Sequence, residues 1–390
     1  MSLEKEIIEH YAELEKIETP FYLYSEKILE EYATRVLESL GSVGEVFYAL
    51  KANSNPYILE ILSSFHFGAD CVSGNEIELA SRKGFKRIFF SGVGKTKNEL
   101  NVAREKGAEI NAESLEEIRL ISEVMPDSEI GIRINPGVDP HTHRYITTGT
   151  EENKFGIPIS RAREAFLLAK VLGIEPVRIH FHLGSQIFDK NPFIEALEVA
   201  LSLAAELMED GIKIREIDFG GGYGISYEKE DSEFLLERFV SDVKNMVSGK
   251  YRLLFEPGRF VVARCGAVVS RVLYRKAGMK NFIITDCGMN DFIRPALYGA
   301  RHRVVFVPER KEKRLVADIV GPICESADFI AKNVEIALPQ KGDFAVVLDA
   351  GAYGYVMSSN YNLRCKPAEY LLKKNGEIIL LRKKVCPEGF

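Results

Sequence analysis

The chain has 390 residues, 46% hydrophobic and 28% charged, with 51 Lys and Arg against 57 Asp and Glu. Those figures exclude a disordered or fibrous chain, and a net charge of −6 gives no general attraction to nucleic acid or anionic lipid. No run approaches the roughly 20 apolar residues of a membrane span, the N-terminus lacks the apolar core of a signal peptide, and the six cysteines are scattered without a CxxC pair, so the chain reads as a cytoplasmic protein of two or three domains with reduced, mostly buried thiols.

Taken in order, Phe21-Tyr22-Leu23-Tyr24 comes first, a β-rich run that stands apart from the pattern after it. From about residue 45 to 260, β-rich runs alternate with helical patterns. The runs are 46–50, 69–73, 87–91, 109–112, 130–135, 178–183, 216–219 and 251–256. Asn55-Pro56 opens the first helix of the series, with Pro where its missing N–H costs nothing. Ser114-Leu115-Glu116-Glu117 has the pattern of a capping box. Eight strand–helix units in about 240 residues predict a (β/α)8 barrel. An open doubly wound sheet is the alternative, but it carries a Gly-rich turn after its first strand, and here that strand runs into Lys51.

Beyond about residue 268 the apolar runs lie close together with no helices between them: 281–285, 303–307, 315–320, 344–348, 370–372 and 378–381. Asn375-Gly376 between the last two is a hairpin signal. The expected architecture is α/β plus β. Residues 27–267 form a (β/α)8 barrel, and residues 1–26 with 268–390 form an all-β domain that includes the Phe21 run.

Active sites of such barrels sit at the C-terminal ends of the strands. The first strand leads into Lys51. A lysine at an apolar mouth is partly desolvated, which frees an amine for Schiff-base chemistry; a snorkelling surface lysine is the plainer reading. The seventh strand leads into Gly220-Gly221-Gly222 and the eighth into Glu256-Pro257-Gly258-Arg259. Loops after strands 7 and 8 are a recurrent phosphate site. Phosphate plus an imine-forming lysine points to pyridoxal 5'-phosphate, with the Glu256 carboxylate against its ring nitrogen. His180 and His182, two apart on one strand, face the same side. They suit either a metal or a flat ring, and His141 and His143 form a second such pair. A metal-dependent barrel hydrolase is therefore the second function class, although it leaves Lys51 and the glycine loop unexplained.

These stretches, together with Tyr48-Ala49-Leu50-Lys51-Ala52-Asn53 and His180-Phe181-His182-Leu183-Gly184-Ser185, resemble the alanine-racemase-like (fold type III) pyridoxal-phosphate decarboxylases. The resemblance runs from about Thr19 to Arg382. Asn290 to Tyr298, Gly321 to Ser326, Asp349 to Tyr355 with Met357 to Asn362, and His143 to Gly156 look like the diaminopimelate branch of that group. The resemblance implies decarboxylation of meso-2,6-diaminoheptanedioate to L-lysine and CO2 by a homodimer with shared active sites.

By that likeness Lys51 carries the cofactor and Cys324, from the partner subunit, is the proton donor. Asp70, His182, Ser185, Gly221, Gly222, Glu256, Gly258, Arg259 and Tyr353 bind the cofactor. Arg259, Arg294, Tyr298, Glu325 and Tyr353 bind the substrate, and no metal is implied. Glu325 stands where most ornithine decarboxylases have Asp, which with Arg294 and Tyr298 suits a substrate bearing an amine and a carboxylate at its far end. Decarboxylases of ornithine, arginine or carboxynorspermidine share the same cofactor machinery and are the nearer alternative. A non-catalytic cofactor-binding protein would lack the Cys324 and Tyr353 stretches.

Overall fold

The computed structural model describes residues 2–139, 154–228, 233–247, 249–310 and 314–387. His141, His143 and Asn153 lie outside these described residues. The chain divides into two compact units. One comprises Ala33–Ile225 with Ser232–Phe260, and the other Met1–Tyr32, Ser226–Asp231 and Val261–Phe390.

The first unit is a closed parallel barrel. Its strands are β1 (Gly44–Ala49), β2 (Gly68–Cys71), β3 (Ile88–Phe90), β4 (Glu109–Ala112), β5 (Glu129–Asn135), β6 (Glu175–His180), β7 (Glu216–Asp218) and β8 (Arg252–Phe255). Each pairs in parallel with its sequence neighbours, and β8 pairs with β1 to close the ring. Helices follow the strands and are capped locally. Asn55 accepts a hydrogen bond from the Tyr57 N–H with Pro56 in the first turn. The box expected at Ser114 is half formed: its hydroxyl accepts from the Glu117 N–H, but the Glu117 carboxylate takes the Glu113 N–H and the Lys95 ammonium instead. The complete box is at Thr96 and Glu99.

The barrel interior is layered. Phe47, Phe89 and Leu254 form an apolar middle, with the two rings stacked 3.9 Å apart. Beneath it, at the N-terminal ends of the strands, lies a layer of charges. Arg178 donates from Nε to Glu216 (2.8 Å) and from Nη1 to Asn111 (3.0 Å), also bonds Glu109, and lies 4.0 Å from the Phe89 ring centre. Arg87 bonds Glu109, Glu216 and Glu45, and Arg252 reaches Glu216 at 2.8 Å. Burial pushes Glu109 and Glu216 upward, but the neighbouring guanidinium groups outweigh it and hold both below the usual carboxylate range. Gly131 on β5 makes this closure possible: a Cβ there would lie 2.0 Å from Asn111 Oδ1 and 3.2 Å from Arg178 Cδ.

The second unit is mostly antiparallel sheet. Phe21–Ser25 pairs with Gly266–Lys276 on one side and with Ala368–Leu372 on the other, so the early run belongs with the C-terminal strands as expected. The Asn375-Gly376 hairpin joins Ala368–Leu372 to Ile378–Arg382. Two described strands of this unit escape the sequence reading, Gly266–Lys276 and Phe329–Ala337, the latter broken in pattern by Lys332 and by Asn333 at φ +53°. The expectation of six reduced thiols is corrected. Cys365 and Cys386 form a disulfide, while Cys71, Cys265 and Cys287 are buried and free and Cys324 is exposed and free. Pairing needs Cα atoms within about 7 Å, a distance that a separation of 21 residues does not reveal. No described helix is long and apolar enough to cross a membrane.

Candidate active site

At the C-terminal ends of the barrel strands the character reverses. β1 ends at Ala49, and Lys51 sits in the one-turn helix Leu50–Ala52 that follows. Its side chain keeps 35% of its surface, and its Nζ lies 3.3 Å from Oδ2 of Asp70, which is fully buried at the end of β2. The lysine therefore meets a carboxylate rather than the apolar collar expected from the sequence.

Beside it, at the ends of β7 and β8, which close the ring next to β1, stands an acid cluster. Asp218 closes β7: its Oδ1 accepts the Gly220 N–H at 2.9 Å, while Oδ2 has no hydrogen-bond partner. Burial, reinforced by Glu256, pushes its carboxyl up to about 8. Glu256 follows β8. Burial and then Asp70 raise its pKa, and its Oε1 accepts a long bond from Ser91 Oγ at 3.4 Å. His180 closes β6 with Nε2 3.3 Å from Glu256 Oε2, but neither ring nitrogen makes an aligned hydrogen bond. Burial lowers its pKa to about 4, so the ring is neutral. Asp70 Oδ1 is likewise without a hydrogen-bond partner.

Buried acids held above their ordinary pKa, beside unmet lone pairs, are a place made to receive a cationic or proton-bearing group. A protonated pyridine nitrogen fits that description. The ligand atoms of His180, Asp218 and Glu256 lie within 4.8 Å of one another, so geometry alone would also admit a cation.

The glycine loops supply the other half of a cofactor cradle. Gly222 has φ +111°, and a Cβ on it would lie 2.3 Å from the Gly184 carbonyl oxygen; one on Gly221 would lie 2.3 Å from that of Glu256. Side chains are thus excluded where these backbones meet. The Gly221 N–H donates to His182 Nδ1 at 3.0 Å, which fixes the tautomer and turns that histidine away from the paired-ligand reading. Burial holds His182 well below its usual pKa, with Lys51 adding to the effect. Arg259 donates from Nη2 to Ser185 Oγ at 2.9 Å, which brings two expected cofactor-binding residues together. Gly258 packs under Ala49 and Ala52, within 3.1 Å of an added Cβ.

Sequence reasoning missed several neighbours of this site. Arg133 pairs with Glu113 at 2.8 Å and stacks on Phe155, and Glu113 also takes the Gly156 N–H. The signal was present as polar–Ile–polar triplets: Glu109-Ile110-Asn111, Arg133-Ile134-Asn135, Arg178-Ile179-His180 and Glu216-Ile217-Asp218. Alternation puts both polar residues of each triplet on one face, and the reach of Arg178 on β6 past β5 to Asn111 and Glu109 on β4 shows that this face is the interior.

The remaining expected residues lie in the second unit. Tyr353 sits in the turn after Phe344–Val347 with φ +55°, four residues from Asp349 at φ +57°, and such backbone is costly for non-glycine residues. Arg294 begins the short helix Arg294–Tyr298 and is buried; Tyr298 ends it, partly exposed. Cys324 and Glu325 lie on an exposed loop. The Cys324 N–H donates to Asn362 at 3.1 Å, and the Tyr361 hydroxyl donates to Glu325. Asp328 ties the same loop inward by accepting the Ile323 and Met289 N–H groups at 2.6 Å each.

Comparison with known proteins gives a consistent picture. Residues 26–263 match the family described as pyridoxal-dependent decarboxylase, pyridoxal binding domain. A diaminopimelate decarboxylase of Aquifex aeolicus is 41% identical over 94% of this chain and 89% of its own. One from Campylobacter jejuni is 41% identical over 95% of this chain and 94% of its own. The crystal structure of diaminopimelate decarboxylase from Helicobacter pylori complexed with L-lysine superposes with a TM-score of 0.92 at 39% identity, covering 96% of this chain and 97% of that one.

Proposed function

This chain belongs to the pyridoxal-dependent decarboxylases, in the diaminopimelate decarboxylase family, and on that footing we propose that it removes CO2 from meso-2,6-diaminoheptanedioate to leave L-lysine. The observation that carries the reading is the barrel mouth. There a lysine beside a buried carboxylate stands at the same strand ends as an acid cluster with unmet hydrogen-bonding capacity.

Bound pyridoxal 5'-phosphate supplies an electron sink for the pair that the departing α-carboxylate leaves behind. The protein's part is to hold and to move protons. Lys51 tethers the cofactor through Nζ, and Asp70 holds that amine in place. Glu256 would meet the ring nitrogen with its carboxyl, where burial favours a shared proton over an isolated charge. Gly221, Gly222, Gly258, Ser185 and Arg259 would hold the phosphate, and His182 would pack on the cofactor. Tyr353 serves both cofactor and substrate. Arg259, Arg294, Tyr298 and Glu325 bind the substrate, with Arg294 on the carboxylate of its far end. Cys324 returns a proton to the α-carbon.

In the same proposal the enzyme is a cytoplasmic homodimer whose sites are completed across the subunit boundary. Support comes from Cys324 and Glu325, which lie exposed on their own chain although both are assigned to chemistry that must exclude water. Residues 27–267 then serve as the cofactor domain, and the remainder supplies substrate and interface residues.

Two experiments test this. Release of CO2 should be fastest from meso-2,6-diaminoheptanedioate among that compound, lysine, ornithine and arginine; preference for ornithine or arginine would move the chain to a neighbouring branch. Lys51→Ala and Cys324→Ala should each be inactive alone and recover activity when mixed. Proven subunit exchange without recovery would defeat the shared site.

A further inference from the structure

Arg294 is held in an unusual way. Its Nη1 lies 2.7 Å from His302 Nε2 and 3.0 Å from the Tyr227 hydroxyl, and all three side chains are buried. A guanidinium has no acceptor, so Arg294 must donate to Nε2, and Nε2 must carry a lone pair. The proton of the neutral imidazole is then on Nδ1, which lies 2.9 Å from the Leu348 carbonyl oxygen and donates to it. Two aromatic rings pack against the imidazole. Tyr227 lies 4.4 Å away at 48°, and Phe292 meets it edge-on at 4.7 Å. Tautomer, ring plane and the direction of the Arg294 bond are therefore set together.

The placement also matters. His302 follows the helix that starts at Arg294, and its anchor, Leu348, immediately precedes the turn from Asp349 to Tyr353. One imidazole thus spans two segments to which substrate contacts are assigned.

We propose that His302 is a positioning residue for substrate selection, aiming the Arg294 guanidinium at the carboxylate on the far end of the substrate. This rests on the reading above that Arg294 binds that carboxylate. After decarboxylation that group is the carboxylate of L-lysine, so the idea can be tested without turnover.

His302→Asn keeps a donor near the Nδ1 position for Leu348 and removes the acceptor that Arg294 needs. His302→Gln places a carbonyl oxygen near the Nε2 position. The measurement is binding of L-lysine and of 1,5-diaminopentane, which lacks the carboxylate, to the holoenzyme by calorimetry, with the visible absorbance of the cofactor confirming an intact site. His302→Asn should weaken L-lysine about 10-fold or more, the worth of one hydrogen bond from a charged group. Diaminopentane should change by less than about twofold, and His302→Gln should recover most of the loss. Equal weakening of both ligands, or unchanged L-lysine binding in His302→Asn, overturns the proposal. Arg294→Met separates the two readings: L-lysine binding unaffected by that change removes the carboxylate role of Arg294, whereas a loss there with none in His302→Asn removes only the role of His302.

Discussion

The two ends of the barrel interior are built from the same residue types and do opposite things. At the N-terminal end Arg87, Arg178 and Arg252 face Glu45, Glu109 and Glu216, and the carboxylates shared by Arg87 and Arg178 are held ionised. At the C-terminal end Asp218 and Glu256 are pushed toward protonation, and His180, Asp70 and Asp218 keep atoms without hydrogen-bond partners. A buried charge is tolerated when it is paired, and an unpaired one costs stability. The paired end holds the barrel shut, and the other end keeps Asp218 Oδ2, Asp70 Oδ1 and the His180 nitrogens ready for a partner. The contrast locates the active end from electrostatics alone, without reference to any motif.

Substitutions should break or sharpen that contrast. The largest effect belongs to the open end: Lys51→Ala should abolish the visible absorbance of the bound cofactor together with turnover, while leaving the thermal midpoint of the apoprotein within a few degrees. Persistent absorbance would show that the tether is elsewhere. At the closed end the signs exchange. Arg178→Met takes one guanidinium from Glu109 and Glu216, which keep Arg87, and should cost about 1.5–3 kcal/mol, read as a lower urea midpoint, with cofactor absorbance retained in the fraction that folds. A variant as stable as the parent would mean that the charge layer is dispensable.

The smallest effect is one of pH. Asp218 holds its proton to about pH 8 in the folded chain but releases it near 4 when unfolded. The folded apoprotein therefore binds more protons over that range, and its stability falls as pH rises toward 8. Glu256, also raised, acts in the same direction. His180, lowered to about 4, opposes this only below about pH 6.5, because above that it is neutral in both states. Between pH 6.5 and 8 the apoprotein melting temperature should thus decline, and Asp218→Asn should flatten the slope. An unchanged slope in that variant would clear Asp218 of the effect.

Much of this was legible in the sequence. All eight barrel strands, the transfer of Phe21–Ser25 to the other sheet and the Asn375-Gly376 hairpin follow from periodicity and turn chemistry. Lys51, the triple glycine and Glu256 follow from their places at strand ends. The polar–Ile–polar triplets were not read, because alternation reports which residues share a face and is silent on which face is buried. Barrel interiors are usually filled with branched apolar side chains, and here Ile110, Ile179 and Ile217 alternate with the inward-facing charges. The Cys365–Cys386 bond and the His302–Arg294 contact depend on distances across the fold that residue order does not carry.

The bare backbone at position 131 has an evolutionary consequence. A Cβ introduced there meets Asn111 Oδ1 at 2.0 Å and the Arg178 stem at 3.2 Å, so position 131 is coupled first of all to 111. A mutational walk must first move or shorten 111, giving up its hydrogen bond from Arg178, before 131 can accept even a methyl group. A library that varies these sites one at a time would score position 131 as forbidden, and only paired changes would reveal the barrel's tolerance there.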